Sequence, residues 1–184
     1  MCEVMEAKKQ MTNFYQKLLL IFFIGAITGF FYEVIFYYFT ENRLDNAGIL
    51  FGPWLPIYGF GALFISLIPP FVKKYPVLLF LGCILITGIL EYIVGFISLN
   101  IFDKKLWDYA GLFLNIDGFV CLRSVLTFAI GGLFLVYIIE PFIAKIQNDK
   151  KYYKVIHNIL IIITIIFILD LLISRILKHM PFLY

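Results

Sequence analysis

The chain has 184 residues, 62% of them hydrophobic and only 15% charged, with a mean hydropathy of +0.96 and a formal charge of +3. A soluble fold of this size cannot hide so much apolar surface, because much of any small domain faces water. That excludes a soluble catalytic domain, and the small, scattered positive charge gives nucleic acid no footprint. A lipid bilayer is the solvent that fits.

Residues 1–16 are polar and mixed in charge. They lack the short apolar core and small-residue cleavage site of a secretory signal, so they read as a cytoplasmic N-terminal segment and the first hydrophobic run stays as a helix. A spanning helix needs about 20 apolar residues at roughly 1.5 Å each. Five runs approach or exceed that length, and the sequence predicts helices over residues 17–39, 56–72, 76–102, 118–144 and 154–177. Pro69-Pro70 closes the second, since proline lacks the amide donor that continues a helix. Tyr37, Tyr38, Tyr75, Trp107, Tyr109, Tyr152 and Tyr153 gather at the ends, where amphipathic rings favour the headgroup level. The expected class is an all-α integral membrane protein of about five transmembrane helices. Residues 17–144 form its four-helix core, and residues 145–184 add a basic cytoplasmic loop and the fifth helix.

Lysine and arginine set the orientation. With the N-terminus cytoplasmic, nine basic residues face inward, from Lys8 to Lys154, against six outside, including Arg43, Lys104, Lys105 and Arg123. The cluster from Lys145 to Lys154 is the strongest vote, and Glu140, before Pro141, is expected to face it. The three cysteines, Cys2, Cys83 and Cys121, have neither paired nor metal-ligand spacing, so no metal site is expected.

Two outer loops mix glycine, aromatic and apolar residues, which a freely solvated loop would not need. One carries Gly48-Ile-Leu-Phe-Gly-Pro-Trp-Leu-Pro56, and the other runs from Trp107 to Gly118. Both are expected to dip back into the membrane, where irregular backbone survives only under cover of protein or in a wet cavity. Thr28-Gly29 with Glu33 resembles Thr87-Gly88 with Glu91, and Gly48, Gly61 and Leu63 recur as Gly118, Gly131 and Leu133. This weak two-helix repeat would be parallel, both units starting inside.

Glu33, Glu91 and Asp170 lie within hydrophobic runs, where a carboxylate costs a few kcal/mol unless it has a partner, a proton or a wet cavity. Each falls 16 or 17 residues past a cytoplasmic lysine, Lys17, Lys74 or Lys154. At roughly 1.5 Å per residue all three reach the outer third of the bilayer. Arg123 enters from the outer side to the same level, and one cation against three acids implies that at least one acid holds a proton. Gly25, Gly29 and Glu33 share one helix face, as do Gly88, Glu91 and Gly95, so small residues would turn both acids toward the bundle. A buried network that merely locks the helices would use the same residues. Asp170 could instead snorkel outward, and Gly25-x-x-x-Gly29 could serve a homodimer interface or internal packing equally well.

The most specific pattern is Gly29-Phe-Phe-Tyr-Glu33, Asn46-Ala-Gly-Ile-Leu-Phe-Gly-Pro-Trp-Leu-Pro-Ile-Tyr-Gly-Phe-Gly-Ala-Leu63, Leu90-Glu91, Trp107-Asp-Tyr109 and Asn115-Ile-Asp-Gly118. It resembles the bacterial CmpB-like, type IV family of ABC-transporter permeases, over about residues 25–132. Two arginines of the family pattern are replaced by Ala47 and Phe119, with Arg43 and Arg123 four residues away from those positions.

The resemblance implies a permease-like subunit in a bacterial cell membrane that moves a small solute or cation. No Walker motif is present, so ATP would enter only through a partner ATPase subunit. The expected ligand-binding residues are Glu33, Glu91, Arg123, Asp108, Asn115, Asp117, Arg43 and Asp170. The competing readings are an intramembrane enzyme acting on a lipid-like substrate, with Glu91 or Asp108 as general base, and a structural or regulatory membrane protein. No nucleophile, metal spacing or nucleophile elbow supports the enzyme.

Overall fold

The computed structural model describes residues 2–42, 44 and 48–177. Among these the chain is helical: α1 (Cys2–Glu41), α2 (Pro56–Ser66), α3 (Pro70–Lys73), α4 (Pro76–Phe102), α5 (Leu122–Phe134), α6 (Glu140–Asn148) and α7 (Lys150–Leu177). No strand forms among the described residues; the nearest thing to one is an isolated antiparallel bridge between Ile116 and Val120.

Among the described residues, four helical segments are long and apolar enough to cross a bilayer: Asn13–Glu41, Pro76–Phe102, Leu122–Gln147 and Tyr152–Leu177. The fifth, α2, has 11 residues and ends at Ser66, six short of the expected boundary. At about 1.5 Å per residue it covers roughly half of a bilayer core. Pro69 and Pro70 explain the early stop, because the residue before a proline avoids the α conformation. The chain restarts at Pro70 as the single turn of α3, with proline at the position where its missing N–H costs nothing.

The helix expected to begin at Gly118 starts at Leu122. Asp117 and Gly118 both have positive φ, of 51° and 73°, and Cys121 is extended, so none of them continues a helix. Further on, Leu135–Ile139 widens into a π segment, with the Glu140 N–H reaching back to the Leu135 carbonyl. Pro141 is the cause. Its ring would strike the carbonyl four residues back in a regular helix, and one wider turn relieves this.

The chain packs as two compact units. One is Met1–Phe60 with Phe142–Tyr184, and the other is Gly61–Pro141. In the first, the hydrophobic cluster of Ala26, Leu50 and Trp54 packs against Ile163 and Phe167 of α7. In the second, α4 presents a buried stripe of Leu79, Cys83, Thr87, Glu91, Gly95 and Ser98, spaced three and four residues apart. The side chains on the remaining faces of the long helices are large, apolar and exposed, which is the surface lipid covers.

Glu140 is bonded to α3. Its carboxylate pairs at 2.8 Å with Lys73, whose ammonium also donates to the Ser66 carbonyl at the end of α2, 2.8 Å away. Lys73 therefore satisfies a helix C-terminus and a carboxylate at once, with both side chains mostly buried. Glu140→Ala should cost about 2–4 kcal/mol, because it strands a buried ammonium. Lys73→Met, which removes the charge and keeps the stem, should cost less. Thermal unfolding in mild detergent separates the two.

Candidate functional site

Each intramembrane acid has its own described partners. Glu91, on α4, is 2% exposed. Its Oε2 accepts from the Ser124 hydroxyl at 2.7 Å and its Oε1 from the Tyr109 hydroxyl at 3.3 Å. Ser124 occupies the first turn of α5, where it also accepts the Cys121 N–H at 3.2 Å, so the carboxylate meets the positive end of that helix. Gly95 makes this arrangement possible. A Cβ there would stand 2.8 Å from the Phe119 ring, so only glycine lets the chain that leads into α5 lie on α4.

Tyr109 links the acid to Arg123, whose guanidinium lies over the Tyr109 ring, 5.7 Å from its centroid. The loop carrying Tyr109 is folded back on itself. Ile116 and Phe119 close a two-residue turn whose central pair, Asp117-Gly118, takes the left-handed conformations that tight hairpin turns require. Trp107 pins the loop by donating its indole N–H to the Phe119 carbonyl at 2.8 Å.

The other expected loop residues have local work. Asp108 is paired with Lys105 at 2.7 Å and accepts the Ala110 N–H at 2.9 Å. The Lys105 hydrogen bond, followed by the Ala110 N–H, holds its carboxyl below the ordinary value of 3.8. A carboxylate with a lowered pKa is a weaker base, which argues against Asp108 as a general base. Asp117 accepts from the Tyr92 hydroxyl at 3.0 Å, and the Asn115 amide donates to the Leu112 carbonyl at 2.9 Å. Both belong to the folding of the loop.

In the other unit, Glu33 on α1 accepts a hydrogen bond from the Tyr58 hydroxyl of α2. The Tyr58 side chain lies directly on Gly29, so the glycine one turn before the acid is the seat of its partner. The small residues of α1 also admit the first loop, whose Leu55 N–H donates to the Ala26 carbonyl at 3.0 Å.

Asp170 does not snorkel. It is 8% exposed, and four donors converge on it: the N–H groups of Phe51 at 3.1 Å and Gly52 at 2.8 Å, the Trp54 indole at 2.7 Å and the Ser174 hydroxyl at 2.8 Å. The irregular backbone of the first loop has no helix to bond its amides, and this carboxylate supplies the missing acceptors. Asp170 is thus a clamp between α7 and the loop. Arg43 lies outside the described residues, as does the Asn46-Ala47 part of the first motif.

The family model described as "Putative ABC-transporter type IV", of the CmpB type, matches residues 20–175. The chain belongs to that family. It is a multi-pass membrane protein of the ABC-transporter type, and the match extends through α7, beyond the stretch that carries the sequence motifs. No curated protein and no solved structure matches it.

Reasoning from sequence missed Tyr58, Tyr109 and Ser124, the hydroxyls that hold the two glutamates. The tyrosines were visible as members of the Pro-Ile-Tyr-Gly and Trp-Asp-Tyr motifs. Ser124 carries no signal beyond standing at a helix start.

Proposed function

We propose that this family member is the permease-like subunit of an ABC-type transporter, passing a small solute or cation by way of buried carboxylates. The observation that carries this reading is Glu91, a carboxylate in a membrane helix that is 2% exposed and has the Tyr109 and Ser124 hydroxyls among its partners. Hydroxyl donors hold the group in place while leaving it able to accept a cation or a proton.

In this reading Glu91 makes the ligand contact, Tyr109 carries the contact to the loop, and Arg123 is the counter-charge over the Tyr109 face. Glu33 with Tyr58 is a second carboxylate of the same chemistry in its own unit. Asp108, Asn115 and Asp117 shape the loop, and Asp170 holds the other one. The N-terminus is cytoplasmic, the membrane is that of a bacterial cell, and an ATPase subunit binds from the cytoplasm. The lysines at the end of α6 and the start of α7, Lys145, Lys150, Lys151 and Lys154, support that orientation.

Purification from native membranes in mild detergent, followed by native mass spectrometry, tests the reading. A co-purifying ATPase subunit is the expected result. Glu91→Gln and Glu33→Gln should each retain that subunit and lose any bound small-molecule mass. A lone chain under conditions that keep other ABC complexes intact would exclude the ABC-type assignment of energy source.

A further inference from the structure

The loop between α4 and α5 turns back along α4 instead of bridging two helix ends. α4 runs on to Phe102, eleven residues past Glu91, so at roughly 1.5 Å per residue its end stands about 16 Å beyond that acid. α5 starts beside the acid, since Ser124 in its first turn donates to Glu91 at 2.7 Å. The chain between them has to come back down α4 by most of that distance. It does so with Phe119 lying on Gly95, where an added Cβ would stand 2.8 Å from the ring, and with Val120 close to Gly88. The Leu122 N–H then donates to the Phe113 carbonyl at 3.3 Å, which fixes the tip of the loop level with the start of α5.

That tip is apolar and exposed. Phe113 is 74% exposed and Leu114 63%, with Leu112 and Ile116 exposed beside them. The backbone beneath is tied down: Leu112 N–H to the Tyr109 carbonyl at 3.0 Å, Asn115 N–H to the Leu112 carbonyl at 3.2 Å, and Ile116 N–H to the Val120 carbonyl at 2.9 Å. The polar side chains of the loop are engaged within it or on α4, Asn115 with the Leu112 carbonyl, Asp108 with Lys105 and Asp117 with Tyr92. A fixed loop that satisfies its own polar groups and presents several large apolar side chains suits an apolar neighbour.

The level of the tip identifies that neighbour. Glu140, paired with Lys73, lies eighteen residues along from Leu122, or about 26 Å, close to the roughly 30 Å of a hydrocarbon core. With the Lys73–Glu140 pair at one edge of the core, Phe113 and Leu114 stand at the other. Ile101 and Phe102, exposed at the end of α4, continue the lipid-covered surface past the tip. We propose that this loop is an interfacial membrane anchor, with Phe113 and Leu114 inserted among the acyl chains of phospholipids in the leaflet nearer the Phe102 end of α4. The loop backbone then lies at the level of the ester carbonyls and bound water. That boundary still supplies acceptors for loop amides, which the acyl core does not. Trp107 and Tyr109 suit the same level. Lipid thus holds in place the loop whose Tyr109 reaches Glu91.

The anchor is independent of what the protein transports, and the full chain tests it. A photoreactive benzophenone side chain is encoded in place of Phe113, and the protein is reconstituted in vesicles of phosphatidylethanolamine and phosphatidylglycerol. On illumination the benzophenone bonds to the C–H groups it touches, and intact-mass spectrometry identifies them. Phe113 is so exposed that the larger ring meets no neighbour within the fold. Position 85, where Leu85 is exposed on α4, is the control. A phospholipid mass added at both positions is the expected result. A lipid adduct at 85 with none at 113 would put the tip in water and overturn the proposal. A bond from 113 mainly to protein would overturn it as well, placing the tip against a second copy or another part of the chain.

Discussion

Asp170→Ala is expected to destabilise the unit containing α1, α7 and the first loop by about 3–5 kcal/mol, a large share of the stability of a domain this size. Two loop amides, an indole N–H and a serine hydroxyl would lose their common acceptor. Each unsatisfied buried donor costs about 1–3 kcal/mol, and since the four share one site their costs do not simply add. Asp170→Asn separates charge from shape. Gly52 and Trp54 both donate to Oδ2, and Phe51 and Ser174 both donate to Oδ1. An NH2 at the Oδ2 position would face two fixed donors, and one at the Oδ1 position would face the Phe51 N–H while the Ser174 hydroxyl turns to accept, so asparagine should recover only part of the loss.

Trp54→Phe keeps the ring packing against Phe167 and removes one donor, which should cost about 1 kcal/mol. Unfolding in mild detergent checks the order Ala, Asn, Phe, and limited proteolysis between residues 48 and 55 should accelerate in the same order. Equal stability of Asp170→Ala and the unmodified chain would mean that the loop is held by something other than this carboxylate.

The second large effect is at Gly29. On helix propensity alone, Gly29→Ala should stabilise α1 by about 1 kcal/mol. The tertiary contact reverses the sign, because an added Cβ would overlap the Tyr58 Cβ and Cγ atoms, which sit next to the backbone and cannot swing aside. Overpacking of this kind costs about 1–3 kcal/mol, and Gly29→Leu should cost more than Gly29→Ala. The displaced Tyr58 would also release Glu33, so Gly29→Ala should mimic Tyr58→Phe in any assay that depends on Glu33. Gly131 provides the control. Nothing lies within 4 Å of a Cβ built there, so Gly131→Ala should be neutral or stabilising by up to about 1 kcal/mol. If both glycines tolerate alanine equally, the close approach of α1 and α2 is wrong.

The membrane class, the 76–102 helix and the family were legible in the sequence because each rests on information carried locally. Hydropathy over about 20 residues measures transfer into lipid, which is additive along a segment. The residues of the Gly-Pro-Trp-Leu-Pro-Ile-Tyr-Gly stretch identify a family without any knowledge of what they touch. The largest difference in length, at the second helix, also has a local cause. Pro69-Pro70 marks a stop, but proline acts on the residues before it as well as on itself, and α2 ends at Ser66. At Pro141 the same residue type ended nothing, since a π turn absorbed it.

The sequence by itself determined that three carboxylates lie in apolar helices and must be satisfied there, since the cost of an unpartnered charge in lipid does not depend on the fold. Which groups satisfy them was decided by tertiary structure alone. Asp170 meets loop amides 118 and 119 residues away and an indole N–H 116 residues away, and Glu91 meets a serine 33 residues on. Depth along a helix can be counted from sequence. The direction from which a partner arrives depends on helix rotation, loop turns and the glycines that admit close approach, and those are properties of packing.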